Sequence, residues 1–276
     1  MPETLPRRRH RAATALADLT NDEHHRAAAL GELLPAGAAL ARRTAAHRHG
    51  FRLRMPHERT TDLPVECVVP TGRDPVRRSG VRSWTAALPG EDVELLDGLP
   101  TTTALRTCLD VARWETPPLG LAMLDRALRV GLLDPEAALQ QLERQAGERF
   151  VARARRLLLL CDAGAESPGE SWLRLRLADA GFPPPVTQVL VPRRRRAPLR
   201  LDLGWPDRGV GVEYDGREHH EGAAAVAHDA ARREELLALG WTVVGVHAGH
   251  VLGRSTELER GVGELLGLEP VLRRTW

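Results

Sequence analysis

At 276 residues the chain is long enough for one large or two ordinary domains, and 42% hydrophobic residues can supply buried cores, so a folded, soluble protein is expected. With 39 basic residues against 37 acidic ones the formal net charge is only +2, so any attraction for nucleic acid has to be local. All 39 basic side chains are arginine, because no lysine occurs.

Cys67, Cys108 and Cys161 are widely separated and form no CxxC pair, which argues against a zinc knuckle or a disulfide framework and fits a reducing cytoplasm. The arginines at positions 7 to 9 and 11 are not followed by an apolar core of signal-peptide type, and no run approaches a membrane span. A cytoplasmic protein without membrane contact is expected.

Residues 1–28 are basic and then alanine-rich, and read as an arm leading into a helix. Helical patterns over 29–34 and 38–49, joined by Pro35-Ala36-Gly37, suggest a short helix-turn-helix. Strand-like pieces at 65–69 and 81–86 suit a wing or small sheet, and 101–114, 119–131 and 135–161 read as helices. An α-rich domain with a small β part is thus expected over 29–164.

The organisation changes at Ser167, where an N-cap serine, Pro168 and Glu170 announce a helix running to about Gly181. Strands are predicted over 187–191, 199–205 and 210–215, then a helix over 223–239, a strand over 241–247 and a helix over 255–266. The order is αβββαβα, an α/β fold over 165–276.

Alternation along the second and third strands places Asp202 on one face, and Glu213 with Asp215 on one face of the next strand. If the short turn at 206–209 makes an antiparallel hairpin, Asp202 lies beside Glu213. Neighbouring carboxylates repel unless something cationic lies between them, and a hard divalent ion such as Mg²⁺ or Mn²⁺ suits such oxygen donors. A solvated hairpin face is the plainer reading of the same pattern.

The order αβββαβ, with Glu170 in the first helix, Asp202 in the second strand and Glu213-Tyr214-Asp215 in the third, resembles the PD-(D/E)XK restriction-endonuclease superfamily. More narrowly, LDLGWP, VEYDGREHH and HDAARREELLALGW resemble a bacterial domain family related to the very short patch repair endonucleases. The stretches AALARRTAAHRHG and GLPTTTALRTCLDVAR are similar to the N-terminal region of its actinobacterial members, and distantly to the winged-helix region of AbiEi-type antitoxins.

The endonuclease resemblance implies metal-dependent hydrolysis of DNA phosphodiesters, with Asp202 and Glu213 as metal ligands, Glu170 as an accessory acid and His219 or His220 as base, His219 being preferred for its Asp-Gly-x-x-His spacing. The lysine common at the motif's last position is replaced by Asp215. Arg193, Arg194, Arg195 and Arg196 at the hairpin tip, with Arg200, Arg217 and Arg232, are the expected contacts to DNA, since arginine forks suit phosphates. The rival expectation is a DNA-binding regulator or antitoxin-like protein built on a retired nuclease fold.

Overall fold

In the computed structural model, residues 27, 31, 34–58, 63–216, 223–273 and 276 are described. The expected arm, the first helix of the helix-turn-helix candidate, Arg217, His219 and His220 lie wholly or mostly outside them. The protein is α/β and divides into two units, the first comprising Met1–Glu115 and Val130–Leu158, the second Thr116–Arg129 and Leu159–Trp276.

The first unit is organised on a five-stranded mixed sheet. Its strands are β1 (Ala39–Leu40), β2 (Val65–Pro70), β3 (Val81–Ala86), β4 (Val93–Leu96) and β5 (Leu99–Thr102), in the order β3-β2-β1-β5-β4. Val65 and Cys67 of β2 pack with Leu40 on one side, and Val68 packs with Ala39 and Ala41 on the other. β4 and β5 form a tight hairpin because Asp97 and Gly98 both adopt positive φ, +48° and +76°, as a two-residue turn between right-twisted strands requires. Helices α1 (Arg42–Arg48) and α2 (Ala104–Trp114) follow β1 and β5, and Thr103 caps α2 by accepting the Arg106 N–H on Oγ1.

Two expectations are corrected here. Residues 38–49 do not form one helix: Ala39 and Leu40 pair with β2 and β5, and α1 starts only at Arg42. The second helix of the helix-turn-helix candidate is therefore shortened to Arg42–Arg48. Alanine-rich sequence carries no period that separates a buried two-residue strand from a helix. Residues 135–161 likewise break into α4 (Pro135–Arg144) and α5 (Val151–Leu160), because Gly147 and Phe150 take positive φ between them.

An arginine fork fastens the segment after α1. Arg43 donates to Glu58 through both terminal nitrogens, at 2.9 and 2.7 Å, and its Nε donates to the Leu53 carbonyl. The hydrogen bond from Arg43 holds the Glu58 carboxyl down from the ordinary 4.5 to about 2. A depressed carboxylate stabilises the fold above its unfolded value and loses that contribution as the pH falls through its folded value. Glu58→Gln is accordingly expected to cost on the order of 2 kcal/mol at neutral pH, with the gap to the parent chain closing between about pH 4.5 and 2 in urea titrations.

The second unit begins with α3 (Pro117–Arg129), continues from α6 (Pro168–Asp179) through β6 (Val186–Arg193), β7 (Arg196–Trp205), β8 (Val210–Tyr214), α7 (Ala223–Ala238) and β9 (Thr242–Val246), and ends with α8 (Ala248–Leu252) and α9 (Glu257–Leu266). Its sheet runs β6-β7-β8-β9, antiparallel except for the last pair. Val189, Val191 and Leu201 pack with Leu236 of α7. The predicted αβββαβα order is present, with α8 as an addition. The predicted boundary at 165 is displaced, since α3 belongs to this unit. The three cysteines are free, and burial raises the Cys67 and Cys161 thiols to about 12 and 11.

Candidate functional site

The hairpin geometry brings the predicted acids together. Leu203 opposes Val212 and Gly204 opposes Gly211, so the antiparallel register carries Asp202 to Glu213 on a shared face. Both line a cavity of 450 Å³ together with Asp215, Asp229, Arg232 and Arg233. Glu170 reaches the same region from α6: it is buried, and its pKa is raised by burial and further by the charge of Asp202. Asp202 is raised by burial as well, with Glu213 adding repulsion and the Tyr214 N–H, 2.8 Å from Oδ2, opposing it.

A fourth residue joins them from β6. Gln188 takes φ +52°, donates from Nε2 to Glu170 at 3.0 Å, and leaves its buried Oε1 without a partner among the described residues. It was not among the residues singled out from sequence. Its register position opposite Asp202 follows from Thr187 pairing with Leu203 and Val189 with Leu201. Glu170 also accepts the Glu166 N–H at 2.9 Å, while Ser167 Oγ accepts the Glu170 N–H, so the predicted N-cap is present.

The cation beside Glu213 is an arginine. Arg232, projecting from α7, donates through Nη2 to both Glu213 Oε1 and the Arg200 carbonyl. Glu213 accepts from Arg232, Asp202 accepts the Tyr214 N–H, and among the described residues no three His, Cys, Asp or Glu side chains are placed to share a metal. Arg232 neutralises Glu213, while the cavity as a whole is lined by four carboxylates and two arginines.

The arginines expected to meet DNA are partly engaged within the unit. Arg193 donates to Glu235 and to the Ala197 carbonyl, Arg196 lies 3.8 Å from Glu235, and Arg200 pairs with Glu166 at 2.9 Å. Arg194 and Arg195 stay exposed at the hairpin tip, Arg195 with φ +58°. In the first unit, Arg73, Arg77 and Arg78 are exposed on the connection between β2 and β3.

The first unit carries its own cleft, of 780 Å³, lined by Arg42, Trp84, Trp114 and α4 residues. Arg42 lies 3.6 Å from the Trp84 centroid. Beneath it, buried Arg106 bonds Asp110 at 2.9 Å and Asp92 at 2.5 Å, while buried Arg113 bonds Glu148 at 2.9 Å. Burial raises the pKa of Asp110 despite Arg106 beside it.

Among the described residues no helix is long and apolar enough to cross a membrane. No solved structure matches the chain. Two Mycobacterium tuberculosis proteins, uncharacterized protein MT2308 and uncharacterized protein Rv2248, are each 34% identical over 157 residues, 57% of this chain. The chain thus spans 58% of the length of these relatives. Nothing in these comparisons supports a nuclease domain of the very short patch repair type. Residues 36–160 match the AbiEi antitoxin C-terminal domain, and this likeness overturns the expectation of a DNA-hydrolysing endonuclease in favour of an antitoxin-like relationship.

Proposed function

We propose that the chain is a DNA-binding regulator of antitoxin type, in which the second unit keeps a nuclease-like order of elements without nuclease chemistry. The observation that carries this reading is the match of residues 36–160 to an antitoxin domain. The neutralisation of Glu213 by Arg232 supports the non-catalytic part. The exposed arginines at 73, 77 and 78 supply a surface for phosphates.

The test is a titration of the chain against duplex DNA taken from upstream of its own coding sequence and against a scrambled duplex, across a range of salt. Affinity for the upstream duplex is expected to exceed that for the scrambled one by about 10³-fold or more, to fall with salt, and to be unchanged by EDTA. Arg77→Ala and Arg78→Ala should each lower the salt slope by about one. Equal affinity for both duplexes, or binding that requires a divalent metal, overturns the proposal.

A further inference from the structure

The cleft of the first unit is arranged around one arginine that the fold leaves short of acceptors. Arg42 opens α1 at φ +46°, a conformation strained for any residue with a β-carbon. That backbone sets its guanidinium over Trp84, with the Trp114 ring centroid 5.0 Å away. Its Nε–H is buried without a hydrogen-bond partner among the described residues, and the nearest acids, Glu66, Asp110 and Glu115, act on it as charges at a distance.

Arg106 and Arg113 in the same cleft are, by contrast, consumed by Asp92, Asp110 and Glu148. An arginine fork held on an indole with donors to spare is suited to an oxyanion, because planar N–H pairs match phosphate geometry. Two further features narrow the ligand. The volume, 780 Å³, is that of a small-molecule site and far exceeds what one inserted carboxylate side chain would fill. Half-buried Gln141 and exposed Arg144 stand on the α4 wall, where an amide can read a base edge.

We propose that this cleft binds a nucleoside phosphodiester, with the phosphate on the donors of Arg42 and the base along the wall that Trp114 and Gln141 form. Four arginines and four acids line the cleft, so a phosphodiester carrying one negative charge suits it better than a triphosphate. Such a group is offered by a nucleotide within a single strand or by a free cyclic nucleotide. The inference goes beyond the regulator reading: loss of duplex binding with an intact nucleotide response would sink that reading alone.

Tryptophan emission of the full chain reports the site directly. It is titrated with a single-stranded tetradeoxynucleotide, 3′,5′-cyclic AMP, inorganic phosphate and a glutamate-rich peptide. The expected result is a saturable change with the oligonucleotide or the cyclic nucleotide, weakened at least tenfold in Arg42→Gln with unchanged far-ultraviolet circular dichroism. Trp84→Phe should reduce the amplitude. Should Arg42→Gln fail to fold, Gln141→Ala at the cleft wall must weaken the same response at least threefold. Tighter binding of the oligonucleotide identifies a strand as the source, and tighter binding of cyclic AMP a free ligand. No saturable change with either nucleotide, an undiminished response in a folded Arg42→Gln or in the Gln141→Ala fallback, or binding of phosphate or the peptide as tight as that of the nucleotides overturns the proposal.

Discussion

Arg176→Met is expected to lower stability by about 3–5 kcal/mol, because it leaves a buried carboxylate and a group of backbone carbonyls without their cation. Arg176 is among the largest fully buried side chains, at 1% exposure. Its Nε and Nη2 hold Glu259 of α9 at 2.8 and 2.7 Å, and Nη1 donates to the Val251 carbonyl at 2.7 Å and to that of His250. Nη2 reaches the Ser255 carbonyl as well. These carbonyls lie at the end of α8 and in the segment that follows, where the last carbonyls of a helix have no N–H donors from the helix itself and a cation is electrostatically favoured. Methionine keeps most of the apolar stem, so the loss isolates the guanidinium. The urea midpoint of the second unit measures it, and a loss below about 1 kcal/mol would refute the clamp. Pairing Arg176→Met with Glu259→Leu should recover part of the deficit, since the second change removes the stranded charge.

Asp125→Ala should cost about as much, on the order of 3–4 kcal/mol, and for a related reason. Asp125 is 1% exposed, accepts Arg174 Nη2 on both oxygens at 2.8 and 2.9 Å, and accepts the Asp162 N–H at 2.8 Å. Burial raises its pKa, and the charge and hydrogen bonds of Arg174 oppose that rise. Alanine strands Arg174, whose side chain is only 10% exposed, and frees α3 from α6. Arg126 and Arg129 then become trypsin sites, so limited proteolysis reads the release alongside the urea midpoint. A variant as resistant to trypsin as the parent would show that α3 is held by other means.

Strand faces were legible in the sequence, and partners of charge were not. The alternation in LDLGW and VEYD places Asp202 and Glu213 on one face, as the register has them, and the need for a cation between them was visible too. Metal chemistry followed from that need only because the helix carrying Arg232 had no place yet in three dimensions; Arg232 itself was singled out, but as a phosphate contact. Arg176 was missed because an arginine in a helical pattern reads as solvated, and nothing local tells of a carboxylate 83 positions away. The β4–β5 hairpin was missed despite its signal, since Leu96-Asp97-Gly98-Leu99 holds the dipeptide that two-residue hairpins favour. The short β1 carried no readable signal at all.

The assignment of α3 to the second unit fixes an order of events in chain synthesis. The helix leaves the ribosome after β5 and α2 but before α6, the element its buried face requires. Leu119, Leu121, Met123 and Leu124 therefore stay uncovered while roughly fifty more residues are made, a delay of several seconds at usual elongation rates. The first unit waits during the same interval for Val130–Leu158. A fragment cut at the limits of the antitoxin match, 36–160, would freeze this intermediate, with the apolar face of α3 exposed and self-association as its natural outcome.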